Sequence, residues 1–171
     1  MPQVSLDVIV QSSAVGLFHS CGLAVAPLPC NKPALGPIPH PELAAMIGFR
    51  GKGFTGMLTV GVPESVFVMV PQNPEHRFTG KDWVREVANQ LLGRVKARLL
   101  QLGTTLVVDL PSLLTLERLE RLRARSPFFA VYRFRTLRSE IVVTLTGDID
   151  ASIFVYTGAV PSAVEGDIIL F

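Results

Sequence analysis

The sequence predicts an α+β fold: an antiparallel sheet with long helices packed on one face, built as a pseudo-two-fold helix–strand–strand repeat. Three observations carry that expectation. A long amphipathic helix spans 79–103. Segments with strand-like apolar alternation come in pairs separated by turn residues. A weak internal repeat relates the two halves. Ser5, Ile9, Ser12 and Gly16 stand at the spacing of Asp82, Glu86, Asn89 and Gly93. Met46-Ile-Gly-Phe-Arg50 echoes Val131-Tyr-Arg-Phe-Arg135, and Leu58-Thr-Val60 echoes Val143-Thr-Leu145.

At 171 residues the chain suits a single domain over 1–171, long enough to bury roughly 70% of its unfolded surface. Apolar residues make up 49% and charged ones only 18%, a composition that folds and can hide apolar surface in an oligomer. A net charge of +2 is too small to indicate nucleic acid or a membrane surface as partner. No apolar run approaches the ~18 residues of a membrane span, and the start, Met-Pro-Gln-Val-Ser-Leu-Asp, lacks the basic region of a signal peptide. Cys21 and Cys30 are too few for a disulfide framework, and no Cys-x-x-Cys or His pairing suggests zinc. The expectation is a cytoplasmic protein with reduced thiols.

Residues 5–21 read as the first helix, with Leu6, Ile9, Val10, Ala14, Leu17 and Phe18 near helical spacing and Gly22 as terminator. His19, near its end, suits the negative end of the helix dipole better than a ligand role. Six prolines from Pro27 to Pro41 make 26–41 an irregular crossing with no regular ladder. Residues 43–50 and 54–62 follow as strands, the second turning Phe54, Gly56, Leu58 and Val60 inward. The link between them, Gly51-Lys-Gly-Phe-Thr-Gly56, matches the glycine pattern of dinucleotide binding. That fingerprint needs a helix after it, and here a strand follows, so the glycines belong to a hairpin turn.

Residues 63–70 form a short helix or a strand, and 71–76 a loop. Beyond the long helix, 104–110 is β-branched and apolar, a buried strand. Residues 112–125 read as an additional helix with Leu116, Leu119 and Leu122 on one side; 128–137, 140–146 and 152–157 read as strands. Asp148 and Asp150 are acidic turn residues sooner than metal ligands. The arginines at 118, 121, 123 and 125 alternate with Glu117 and Glu120 and lack interspersed aromatics, so a solvated face explains them better than a nucleic-acid patch.

The 79–103 helix holds the functional signal. Thr79 caps it, Asp82 completes a capping-box-like pair, and Gly103 stops it. Val84, Val87, Ala88, Leu91, Leu92, Val95, Leu99 and Leu102 form one apolar stripe. Asp82, Glu86, Asn89 and Gly93 line the opposite side, where Glu86 and Asn89 stand about 60° apart. Around them lie Ala97 and Leu100, small or apolar where a solvated face would carry charge. Gly93 costs roughly 1 kcal/mol of helix propensity relative to alanine. A mid-helix glycine beside an acid and an amide marks a face that a partner approaches closely. The bland alternative is an ordinary amphipathic helix, on which a Glu-x-x-Asn pair is common.

Asp-x-x-x-Glu-x-x-Asn at Asp82, Glu86 and Asn89 resembles the signature of the CheC/CheX/FliY family of chemotaxis phosphatases. In that family a glycine follows four residues later and a proline some twenty residues on, places held here by Gly93 and Pro111. The similarity runs from about Leu6 to Thr157 and, by the order of helices and strands, resembles the CheX branch. The resemblance implies hydrolysis of the aspartyl phosphate of a CheY-type receiver domain. Asn89 would orient a water in line with the phosphorus, a task of positioning for which an amide is suited. Glu86 would pair with the receiver's active-site lysine. Asp82, Gly93 and Leu100 would belong to the partner-binding face. The chain would carry no metal or cofactor of its own, since the Mg²⁺ comes with the receiver, and it would be a homodimer like the CheX branch.

In the first copy of the repeat Ile9 replaces the acid and Ser12 the amide, so one site is expected, not two. Three features depart from the family pattern: the proline-rich crossing, the extra helix at 112–125, and a bulky Arg94 beside Gly93 that could obstruct docking. The rival reading is a non-catalytic response-regulator-binding or scaffold module with the same fold. An RNA or DNA binder using the arginines of 118–138 ranks below both.

Overall fold

The computed structural model describes residues 3–29, 41–154 and 156–157. Its elements are, in order, β1 (Gln3–Val4), α1 (Leu6–Ser20), β2 (Ala26–Pro27), β3 (Leu43–Gly51), β4 (Phe54–Val62), α2 (Glu64–Phe67) and α3 (Gly80–Gln101), then β5 (Val107–Val108), β6 (Ser112–Leu113), α4 (Leu116–Arg125), β7 (Phe128–Arg135), β8 (Glu140–Asp148), a 3-10 turn (Ala151–Phe154) and β9 (Tyr156–Thr157). Seven strands make one antiparallel sheet in the order β2-β7-β8-β4-β3-β5, with β6 also on β3, and β1 pairs with β9 apart from it. The two long hairpins, β3–β4 and β7–β8, meet where β4 lies beside β8, with Leu58 opposite Leu145 and Thr59 opposite Thr144. The fold is thus α+β with two helix–hairpin halves, as the repeat suggests.

Alternation sorts each strand's side chains between two layers. On one face Ala45, Ile47, Leu58, Val60, Tyr132, Phe134, Val143 and Leu145 join the core cluster that also takes in α1 and α3. The other face is closed more lightly, by Leu119 of α4 over Val131 and Val142 and by a hydroxyl pair between Thr59 and Thr144. The long helices share one face, and the short α4 covers part of the reverse.

The Gly51–Gly56 stretch is a hairpin turn. Lys52 and Gly53 bridge the strands, and Gly53 takes φ +81°, open to glycine at no steric cost. The other two glycines serve packing. Gly51 lies opposite Phe54 and Gly56 opposite Phe49 across the ladder. A Cβ on Gly51 would fall 2.0 Å from the Phe54 ring and one on Gly56 2.3 Å from that of Phe49. The Phe54 ring has no slack, being buried and edge-on to Phe154 at 5.0 Å. Phenylalanines over cross-strand glycines, with a strand after them, leave no helix N-terminus for a pyrophosphate.

Several segments depart from the expectations. The stretch 104–110 is not a buried strand: only Val107 and Val108 pair, at the sheet edge, and Leu110 is 89% exposed. The additional helix begins at Leu116, because Ser112 and Leu113 pair with Met46 and Ala45 before Thr115 caps the helix. Pro111 sits between these two short strands. In place of a strand over 152–157, Asp150 accepts from the Ser152 amide at 2.9 Å and its hydroxyl at 2.6 Å, which starts a 3-10 turn; among the described residues of that stretch only Tyr156–Thr157 pairs. These bonds hold the Asp150 carboxyl below its ordinary range. The 26–41 crossing does contribute a bridge, Ala26–Pro27 to β7, while 30–40 lies outside the described residues. Residues 63–70 contain a short helix, Glu64–Phe67.

Gly51→Ala should lower stability by about 1–3 kcal/mol, the usual cost of overpacking a filled core, read as a reduced urea midpoint. Neither NAD nor ATP should bind by calorimetry, in the wild-type chain or in a Gly53→Ala variant.

Candidate functional site

α3 is anchored at both ends. Thr79 Oγ1 accepts from the Asp82 amide at 3.1 Å and donates to its Oδ2 at 2.6 Å, and Arg85 closes on Oδ1 of the same carboxylate. Gly103, φ +82°, turns the chain away after the last turn. Val84, Val87, Ala88, Leu91, Leu92, Val95 and Leu99 are buried against the sheet and α1, and Trp83, which the sequence stripe omitted, joins them at 5.5 Å from the Phe67 ring. Leu102 packs at the margin, partly buried.

On the far side of α3, Asp82, Asn89, Gly93, Lys96, Ala97 and Leu100 are exposed, and Glu86 is half-buried. Asn89 makes no side-chain hydrogen bond among the described residues, so its carboxamide is free. Glu86 Oε1 accepts from Gln90 Nε2 at 2.8 Å. A Cβ on Gly93 would meet nothing within 4 Å, so no packing among the described residues demands this glycine. The Thr79 hydroxyl, and then Arg85, hold the Asp82 carboxyl below its ordinary range.

Arg94 does not lie over Gly93. It crosses to α1, where Nη2 donates to Ser20 Oγ at 3.1 Å and Nη1 lies 3.2 Å from where a Cβ on Gly16 would sit. Arg98 follows it one turn later and donates to Ser12 Oγ. The first copy of the repeat is closed by these contacts. Ile9, at the place of the acid, is 2% exposed in the core; Ser12, at the place of the amide, is taken by Arg98; Gly16 makes room for Arg94.

Spacing-based reasoning passed over two features. Gln90 stands four residues after Glu86, a hydrogen-bonding interval on any helix. A half-open cleft of about 690 Å³ adjoins Glu86 and Gln90, walled by Val70, Pro71, Phe78, Trp83 and Val87 and by Cys21 at the end of α1. Only the folded chain shows it, since its walls come from three segments. Burial pushes the Cys21 thiol up, against the opposing pull of Arg94, so it is no ready nucleophile. Among the described residues no group of His, Cys, Asp and Glu could hold a metal, and no helix is long and apolar enough to cross a membrane.

No protein-family model and no curated protein matches the sequence. The architecture does have counterparts: an antiparallel sheet with two long helices on one face is the fold of CheX- and CheC-like chemotaxis proteins. The chemotaxis protein CheX of Vibrio vulnificus superposes with a TM-score of 0.68 over 83% of this chain and 98% of that one, at 14% identity. CheX of Desulfovibrio desulfuricans gives 0.61 over 83% and 98%, at 17% identity. CheX of Borrelia burgdorferi, solved as a CheX–CheY–BeF3–Mg²⁺ complex, gives 0.60 over 85% and 99%, at 16% identity. At these identities the likeness is one of fold, and it spans nearly the whole of each of those chains.

Gly93→Ala should raise stability by about 1 kcal/mol, since helix propensity is gained and no described residue is touched. If the face receives a partner, the same change should weaken that binding. Asp82 yields a pH expectation. Its folded value lies below the unfolded ~3.9, so the ionised carboxylate favours the fold above that pH. The contribution is lost as pH falls through the folded value, and Asp82→Asn should flatten that part of the stability–pH curve.

Proposed function

We propose that the chain is a phosphatase of a CheY-type response regulator, acting in the cytoplasm as a single-domain protein and a homodimer. The observation that carries the reading is the outer face of α3. An acid and a free carboxamide, Glu86 and Asn89, stand on it beside an open Gly93, and the neighbouring arginine is folded away onto α1. The fold shared with a CheX solved together with CheY supports a receiver domain as the partner.

In this reading α3 approaches the receiver's acid pocket. Glu86 meets the receiver's lysine, and Gly93 lets the two backbones come close. The Asn89 carboxamide holds a water in line with the phosphorus. The water attacks as the bond from phosphorus to the aspartyl oxygen breaks, leaving the free carboxylate and inorganic phosphate. Such a step needs alignment and charge neutralisation more than a strong base, so an amide suffices and the Mg²⁺ is the receiver's. Asp82, already engaged by Thr79 and Arg85, shapes the N-terminal rim of the face, and Leu100 offers apolar surface two turns beyond Gly93.

Asn89→Ala should slow phosphate release from a cognate phospho-receiver ~10²-fold or more, with binding to the beryllofluoride-activated receiver nearly unchanged. Glu86→Ala should weaken that binding by about 1–3 kcal/mol. Both variants should melt like wild type. Wild-type binding without acceleration, unaltered by Asn89→Ala, would identify a docking or scaffold module instead.

A further inference from the structure

The way Glu86 is held bears on what it can grip. Gln90 lies one turn further along α3 and donates Nε2–H to Glu86 Oε1 at 2.8 Å, and both side chains line the cleft beside α1. One of the carboxylate's acceptor sites is therefore filled, and the side chain is tethered, before any partner arrives. The other acid on this face is engaged at both oxygens, Asp82 Oδ1 by Arg85 and Oδ2 by Thr79. Glu86 is thus the acid of the face with an oxygen, Oε2, that accepts nothing among the described residues.

A free glutamate side chain surrenders rotamer freedom when a partner fixes it. Gln90 removes part of that loss in advance. We infer that Gln90 is a positioning residue that holds the Glu86 carboxylate in place for the cation it meets on the partner. The inference rests on the receiver-phosphatase reading above and deepens it.

The test is a cycle of wild type, Gln90→Ala, Glu86→Ala and the double variant, assayed for dephosphorylation of a cognate phospho-receiver. Gln90→Ala should raise KM about twofold, the scale of one exposed i,i+4 pair, with kcat unchanged. In the Glu86→Ala background the same change should do nothing further. An equal KM effect in both backgrounds would overturn the inference, since Gln90 would then act other than through Glu86.

A readout on the free chain separates the two levels. The Gln90 side-chain amide resonance should move as pH falls through the carboxylate range and stay still in Glu86→Gln. An amide that does not move removes the contact, and with it the inference, even if wild type is an active phosphatase. An amide that moves in a chain binding no receiver overturns the parent reading and the docking role together, while leaving the contact real.

Discussion

α3 is held from one side. Trp83, Val84, Val87, Ala88, Leu91, Leu92, Val95 and Leu99 leave water against the sheet and α1, each valine or leucine burial worth about 1.5–3 kcal/mol before entropy is counted. The sum far exceeds anything the opposite side of the helix could add through exposed pairs, which contribute about 0.2–0.5 kcal/mol each. The outer face is therefore released from structural duty. It can carry a glycine mid-helix and an unbonded carboxamide without endangering the fold.

The same economy separates the two halves of the molecule. α1 and α3 begin from similar patterns, and each half adds a hairpin. In α1 the pattern is turned to packing: Ile9 enters the core, and the hydroxyls of Ser12 and Ser20 receive guanidinium groups from α3. Arg94, which could have crowded Gly93, instead joins Arg98 in covering the α1 copy. One pair of side chains thus seals one helix and clears the other.

Most of this architecture was legible because its signals are long. The α3 stripe, the α1 stripe and the β4 alternation each run over several periods, and the observed bounds fall within a residue or two of the expected ones. The misreadings share a cause. Leu106, Val107, Val108 and Leu110 are as apolar as a central strand, yet their burial depends on which edge of β3 they reach, and the local pattern does not encode that. Nor could Ser112 and Leu113 be told from a helix start without β3 beside them. The acid and amide of the candidate site were visible from spacing. The course of Arg94 was not, since it is decided by a glycine on α1, far off in the sequence.

The seam between β4 and β8 has a consequence for how the chain reaches this state. Each hairpin closes locally, through Lys52–Gly53 and through the turn where Thr136 bonds to Ser139. The seam, by contrast, joins residues separated by α3 and α4, so its loop-closure entropy must be met before Leu58 and Leu145 can pair. A molecule with both hairpins formed and the seam open presents two bare strand edges rich in valine, leucine and threonine. Those edges, and not the outward face of α3, are where self-association during synthesis would begin.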